Sequence, residues 1–462
     1  MTKKFAIQSL GCAKNLTDTE QMLAKLLTDG WELVEDPDEA DIGIVNTCAF
    51  IEDAKKESIE AILEMAQCRD TGALVALVVT GCMAQRYQEE IRKELPEVDA
   101  LLGTANIADI AEVCDRLLEE SEHGRMQKIA RFGDINAELP EIPRVQSTPE
   151  YTAYLKIAEG CDNHCAYCVI PSLRGRYRSR TMENLVGEAT ALAHTGVREL
   201  IVIAQDITRY GTDLYGEQRL PELLTRLCAI DGIEWIRLHY LYPSDITAEM
   251  VDVIAREPKI LKYLDVPVQH CSDRVLERMN RRDTKASLES TLAMLRKRIP
   301  GVVLRTTLLV GFPGETEDDF NELCEFVKKQ KFERLGVFPY SREEGTPAYD
   351  MSDQVDEDEK IQRAETVMKL QERVVSRYNT RQLGTKRQVL VEGFDRAGGC
   401  YYGRSFSESP DIDGKVFFLK PKKARPQEGE FVTVTIREDL DGDLVGEYAE
   451  ADTTVLTEGN DA

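Results

Sequence analysis
Six short apolar runs, AYLKIA, ELIVIAQ, IEWIRLHY, YLDVPVQ, VVLRTTLLVGF and RLGVFPY, alternate with helical segments such as 184–194 and 286–298 between Tyr151 and about Arg377. No feature of the chain constrains its fold more. Strands separated by helix-length crossovers pair in parallel, and a parallel sheet must be covered by its own helices. Six β–α units are too few for a full eightfold barrel, so a partial (β/α)6 barrel is expected over residues 151–377. FAIQSL, DIGIVNT and ALVALVVTG alternate with helices in the same way near the N-terminus. Continuous apolar strands indicate burial on both faces, hence an open parallel sheet over residues 1–118. The polar stretch 119–150, with Pro140, Pro143 and Pro149, reads as a linker. After a charged helix from about Asp356 to Gln382, short strand candidates with Gly, Pro and Asp turns take over. QVLVEGF, YYGRSF, KVFFL, FVTVTIRE and DLVGEYAE predict a five-stranded antiparallel β-barrel over 378–450, followed by a disordered tail, 451–462. The class is α/β.

The first apolar stretch is too short for a signal peptide, and no run reaches the length of a membrane span. A cytosolic protein with no membrane partner is expected. Twelve cysteines in such a chain argue for metal or redox chemistry rather than a disulfide framework. Cys161, Cys165 and Cys168 stand in CDNHCAYC, directly after the first barrel strand. Three thiolates in one loop can bind three irons of a 4Fe–4S cluster and leave the fourth open. S-adenosylmethionine (SAM) can chelate that iron, and an electron from the cluster then breaks its sulfonium bond to give a 5'-deoxyadenosyl radical. Tyr167 takes the aromatic position of such motifs. Zinc, the competing reading, requires a fourth ligand, and His164 sits inside the tight loop.

Cys12, Cys48 and Cys82 lie far apart in sequence, yet each ends an apolar strand and precedes a helix. The carboxyl ends of strands in an open parallel sheet form its binding crevice, so three thiolates can converge there on a second cluster with one open iron. Gly11 and Gly81 allow close backbone turns. Cys68, Cys114, Cys228, Cys271, Cys324 and Cys400 follow no such pattern.

The chain resembles the radical-SAM methylthiotransferases. The resemblance rests on the three-cysteine N-terminal domain, CDNHCAYCVIP, LLVGFPGETEDDF and a TRAM-like C-terminal barrel. The opening SLGCAKNLTDTE is similar to the branch that modifies an aspartate of protein twelve of the small ribosomal subunit (RimO-type). The sister branch modifies tRNA adenosine. The resemblance implies a methylthio transfer to the aspartate β-carbon with two SAM molecules and two 4Fe–4S clusters. It also implies an electron donor such as flavodoxin or ferredoxin and a sulfur donor. It makes Glu199, Gln205, Gln269, Gly311 and Glu315 candidate SAM contacts, with a turn-forming or supporting role as the alternative at each. Arg174, Arg176, Arg178 and Arg180 form a basic run after the cluster loop, equally readable as a SAM or substrate anion site and as a solvated face.

Charge separates the two substrates. The chain carries a net charge of -25. Residues 379–447 hold 11 basic and 12 acidic side chains, without the cationic surplus that a tRNA grip needs. The first 140 residues hold 14 basic and 28 acidic side chains, a surface suited to a basic ribosomal protein, free or on the ribosome. Lys415, Lys420, Lys422, Lys423 and Arg425 leave room for a small RNA contact.

Overall fold
Side chains two apart on a strand share a face, and the N-terminal sheet uses that period to build two cores. Phe5, Ile42, Ile44, Ala76 and Val78 pack under the helices Ala13–Thr28 and Ile110–Glu122. Val45, Leu77 and Val79 point the other way, into a second core with Ile62 and Met65 of helix Glu52–Thr71. The computed structural model describes residues 2–420 and 424–449. It orders the strands as Glu32–Leu33, Lys4–Ser9, Ile42–Thr47, Ala76–Gly81, Ala100–Leu102 and Ile129–Arg131, all parallel. The last strand corrects one boundary. Residues 129–131 lie within the stretch expected to be a linker, yet they pair with Ala100–Leu102 and form the sheet's edge. Three residues are too few to show a periodic pattern, so pairing alone reveals them. Further on, the Val145 N–H donates to the Glu20 carbonyl and Arg144 pairs with Glu20, which ties this segment back to the first helix.

The second sheet is also wholly parallel. Thr152–Lys156, Glu199–Ile203, Trp235–Leu238, Ile260–Asp265, Val303–Val310 and Arg334–Pro339 lie side by side in chain order. The first and last strands do not pair, so the expected sixfold partial barrel is what forms. Ala153, Leu155, Leu200, Val202, Leu264 and Leu304 face outward into the largest core, beneath the helices. The N-terminal domain spans the open side. Its Asp18 binds Lys156 at the end of the first strand, and its Arg86 binds Glu343, just beyond the last strand, at 2.7 Å. Among the described residues no helix is long and apolar enough to cross a membrane.

Helix Glu357–Thr380 leads to a closed five-stranded barrel. Its strands are Lys386–Asp395, Cys400–Arg404, Val416–Leu419, Phe431–Leu440 and Asp443–Tyr448. Four of its pairings are antiparallel, but Val416–Leu419 and Asp443–Tyr448 run parallel. An odd number of strands cannot alternate direction all the way round a closed ring, so one parallel pair is a geometric necessity. The tail 451–462 lies outside the described residues, as do Lys422 and Lys423.

This small barrel plugs the base of the large one. Arg404 and Arg237 clamp the fully buried Glu199 at 2.6 and 2.8 Å. Arg334 pairs with Glu408 at 3.0 Å, the Tyr263 hydroxyl donates to Asp413 at 2.7 Å, and the Ser409 hydroxyl meets His239 Nε2 at 2.9 Å. Glu199 therefore does not stand at the cluster loop. It opens its strand, whereas Cys161 follows the opposite end of the neighbouring strand. Four residue steps of strand separate those ends, about 13 Å.

Candidate functional site
Strands Lys4–Ser9, Ile42–Thr47 and Ala76–Gly81 are neighbours, so their carboxyl ends bring Cys12, Cys48 and Cys82 together. Each cysteine is placed by its own device. Gly11 turns with φ of +86°, and a Cβ there would meet Cys48 Cβ at 2.7 Å and Sγ at 2.9 Å. Ser58 Oγ accepts from the Cys48 N–H at 3.0 Å and donates to its carbonyl at 2.9 Å. Gly81, at φ of +91°, starts the helix Cys82–Arg86. Asn15 staples the set, because its amide donates to the carbonyls of Leu10 and Thr47 at 3.0 and 2.8 Å. Cys12 is exposed beside a cavity of about 320 Å³ lined by Leu16, Thr152, Tyr154, Arg404 and Asp411.

The second trio sits in the loop after Thr152–Lys156. Gly160 has φ of +81°, and a Cβ there would lie 2.0 Å from the Arg176 carbonyl, so the loop enters through a passage that only glycine fits. The Cys161 N–H donates to the Gly175 carbonyl at 3.1 Å, and the Cys168 N–H to the Cys165 carbonyl at 3.0 Å. Asn280 donates to the His164 carbonyl at 2.8 Å and holds His164 in its left-handed conformation. Tyr167 packs edge-on against Phe312, 6.5 Å between ring centres.

All twelve cysteines are free thiols. Burial pushes Cys48 and Cys161 up to about 11 and Cys168 higher still, with the other thiols of each trio adding to the rise. Crowded, buried thiols of this kind ionise readily only on a metal centre, which supplies the missing positive charge. Among the described residues no three His, Cys, Asp or Glu side chains converge tightly enough for a single metal ion. Three thiols without a fourth side-chain ligand match the donor count of a 4Fe–4S cluster with one open iron.

A buried ionic network joins the two domains beside the trios. Arg174 lies six residues after Cys168 and donates to Cys82 Sγ at 3.4 Å, Asp18 at 2.5 Å and Glu159 at 3.3 Å. Lys156 pairs with Asp18 and, at 2.8 Å, with Glu159. Gln205 donates to Glu159 at 2.7 Å, and its own buried Oε1 has no partner. Of the basic run, Arg174 is thus an internal link. Arg180 is half-buried against Glu188, and Arg178 donates to the carbonyls of Ala137 and Arg174.

The remaining candidates divide. Gln205 and Gln269 reach the cluster face; Gln269 follows Ile260–Asp265 with φ of +66° and bridges to Leu308. Left-handed non-glycine residues concentrate at this end of the barrel: His164, Tyr240, Gln269 and Asn280. Such strain persists where surrounding structure imposes it, commonly at functional sites. Gly311 and Glu315 are spoken for. A Cβ on Gly311 would strike Lys360 Cγ at 2.2 Å, and its N–H already donates to Glu315 at 2.8 Å. The other Glu315 oxygen holds Arg363 at 2.6 Å. This turn packs against helix Glu357–Thr380. Asp18, Lys156 and Glu159 were not apparent in sequence, because each gains meaning only from partners on another domain or loop.

Residues 4–103 match a family described as uncharacterized protein family UPF0004, residues 155–327 the radical SAM superfamily and residues 383–448 the TRAM domain. The ribosomal protein uS12 methylthiotransferase RimO of Caldanaerobacter subterraneus subsp. tengcongensis is 49% identical over 447 residues, covering 96% of this chain and 100% of that protein. The RimO of Clostridioides difficile is 47% identical, covering 96% and 98%. Among solved structures, the radical S-adenosylmethionine methyltransferase TsrM of Kitasatospora setae superposes with a TM-score of 0.57 at 15% identity, over 75% of this chain and 77% of that one. That likeness is one of fold. Together, the fold and these matches define a radical SAM methylthiotransferase, an iron–sulfur enzyme that uses SAM. Within that class, the chain belongs to the RimO family.

Proposed function
We propose that the protein transfers a methylthio group to the β-carbon of an aspartate in ribosomal protein uS12, in the cytoplasm, with two SAM molecules and two 4Fe–4S clusters. Cys161, Cys165 and Cys168 hold one cluster; Cys12, Cys48 and Cys82 hold the other. When bound, these groups supply reductive cleavage of SAM at the first and a methylated sulfur at the second. The observation that carries the reading is the Asp18–Lys156–Glu159–Arg174 network, which joins the two domains that carry the cysteine trios through buried ion pairs. A reactive carbon must be used where it forms, and fixing both trios to one frame keeps the reacting atoms in register. The chain's own residues do the orienting. Asn15 and Ser58 set the first trio, Gly160 and Asn280 the second, and Phe312 packs against Tyr167 of the loop. Gln205 and Gln269 are the SAM contacts the geometry favours. The acidic N-terminal domain receives the basic substrate, and an electron donor such as flavodoxin or ferredoxin and a sulfur donor serve the clusters.

The test is mass analysis of uS12 and of tRNA from a strain lacking this gene. Loss of a methylthio mass on uS12 supports the reading. Loss of a tRNA modification with uS12 intact overturns it.

A further inference from the structure
Lys14 is 7% exposed, and no carboxylate of the described residues lies within ion-pair distance of it. It stands two residues after Cys12, on the first turn of helix Ala13–Thr28, and reaches from the N-terminal domain into the mouth of the large barrel. Its Nζ lies 3.1 Å from the ring centre of Tyr240. Tyr240 follows the carboxyl end of Trp235–Leu238 and is itself held at φ of +65°. The ring face attracts the ammonium but supplies no counter-charge.

The nearby charges are otherwise engaged. Asp18 is bound by Lys156 and Arg174, and Glu159 by Lys156, Arg174 and Gln205. Asp265 accepts from Arg305 at 2.9 Å and from the Tyr240 N–H at 3.2 Å. His239 beside Tyr240 is kept neutral by burial, its pKa lowered to about 3, so it adds no cation. Lys14 has no such partner, and its Nζ stands over Tyr240, just past the carboxyl end of a barrel strand.

We infer that Lys14 binds the side-chain carboxylate of the substrate aspartate and so selects it. This rests on the proposed function above and names the residue that recognises that substrate. A carboxylate held at Nζ fixes the carbon one bond away, which is the β-carbon to be modified. The same cation offers nothing comparable to a neutral amide or to a nucleobase.

The test uses the anaerobically reconstituted enzyme, a labelled uS12 peptide carrying the target aspartate and its Asp→Asn counterpart. Fluorescence anisotropy without reductant should give the wild type a preference for the Asp peptide of about tenfold or more, the worth of a charge-assisted hydrogen bond. Lys14→Met should bring that preference close to one, and Lys14→Arg should retain most of it. Iron content and the visible spectrum check that both clusters are loaded; where Met disturbs them, Lys14→Gln takes its place. A Met or Gln variant that still discriminates Asp from Asn as well as the wild type overturns the inference alone. A wild type that, given reductant, fails to methylthiolate the Asp peptide overturns the parent reading, and this one with it.

Discussion

Arg174 shows how much one side chain can carry. It is buried among Asp18, Glu159, Asn15 and Cys82, so four groups from two domains depend on one guanidinium. Removing one partner of a buried ion pair leaves uncompensated charge, which costs roughly 3–5 kcal/mol. Arg174→Met should therefore lower the denaturation midpoint of the anaerobic protein markedly, and urea unfolding followed by circular dichroism measures it. The six cysteines allow a cleaner dissection. Fully loaded protein should carry about eight irons, two 4Fe–4S clusters. Replacing Cys161, Cys165 and Cys168 together with Ala should leave about four, by iron assay and visible spectrum. Loss of all iron would contradict independent sites.

At the scale of elements, the first trio depends on the turns that end three neighbouring strands. Gly11 makes the first of them, directly before Cys12. Alanine there would have to adopt φ of +86° with its Cβ 2.7 Å from that of Cys48. Gly11→Ala should thus displace Cys12 from Cys48 and lower iron loading toward about four per chain, with the cluster of the second trio intact. Electron paramagnetic resonance of the reduced protein distinguishes the two sites. These turns were legible in sequence because strand, glycine, cysteine and helix follow one another within a few residues. The turn Gly311–Glu315, which the sequence leaves open as a SAM contact or a supporting turn, was less legible for the opposite reason. Its glycine suggests room for a ligand, but Lys360 fills that room from a helix some fifty residues later in the chain.

For the whole molecule, the join between the two barrels governs acid stability. Burial raises the Glu199 carboxyl, but Arg404 and Arg237 outweigh it and bring the pKa down from 4.5 to about 2. A depressed carboxylate pKa contributes stability in full above 4.5 and loses it as pH falls toward 2. His239, lowered from 6.5 to about 3, resists protonation and adds a loss that begins below 6.5. Glu199→Gln should lower the thermal midpoint at pH 7 and flatten its pH dependence between 4.5 and 2. Scanning calorimetry across that range measures both. An unchanged slope would place the acid sensitivity elsewhere.

The sequence alone determined the alternation of strands and helices, the six-strand barrel, the five-strand barrel and both cysteine trios. Each of these rests on local spacing, which the period of strand and helix converts into geometry. The tertiary structure decided everything that depends on a partner distant in the chain. It clamped Glu199 between Arg237 and Arg404 at the barrel base, because only the assembled structure brings Arg404 of the small barrel against it. It added residues 129–131 to the first sheet through pairing that no pattern announces. It set Lys14 of the N-terminal domain over the ring of Tyr240 at the mouth of the large barrel.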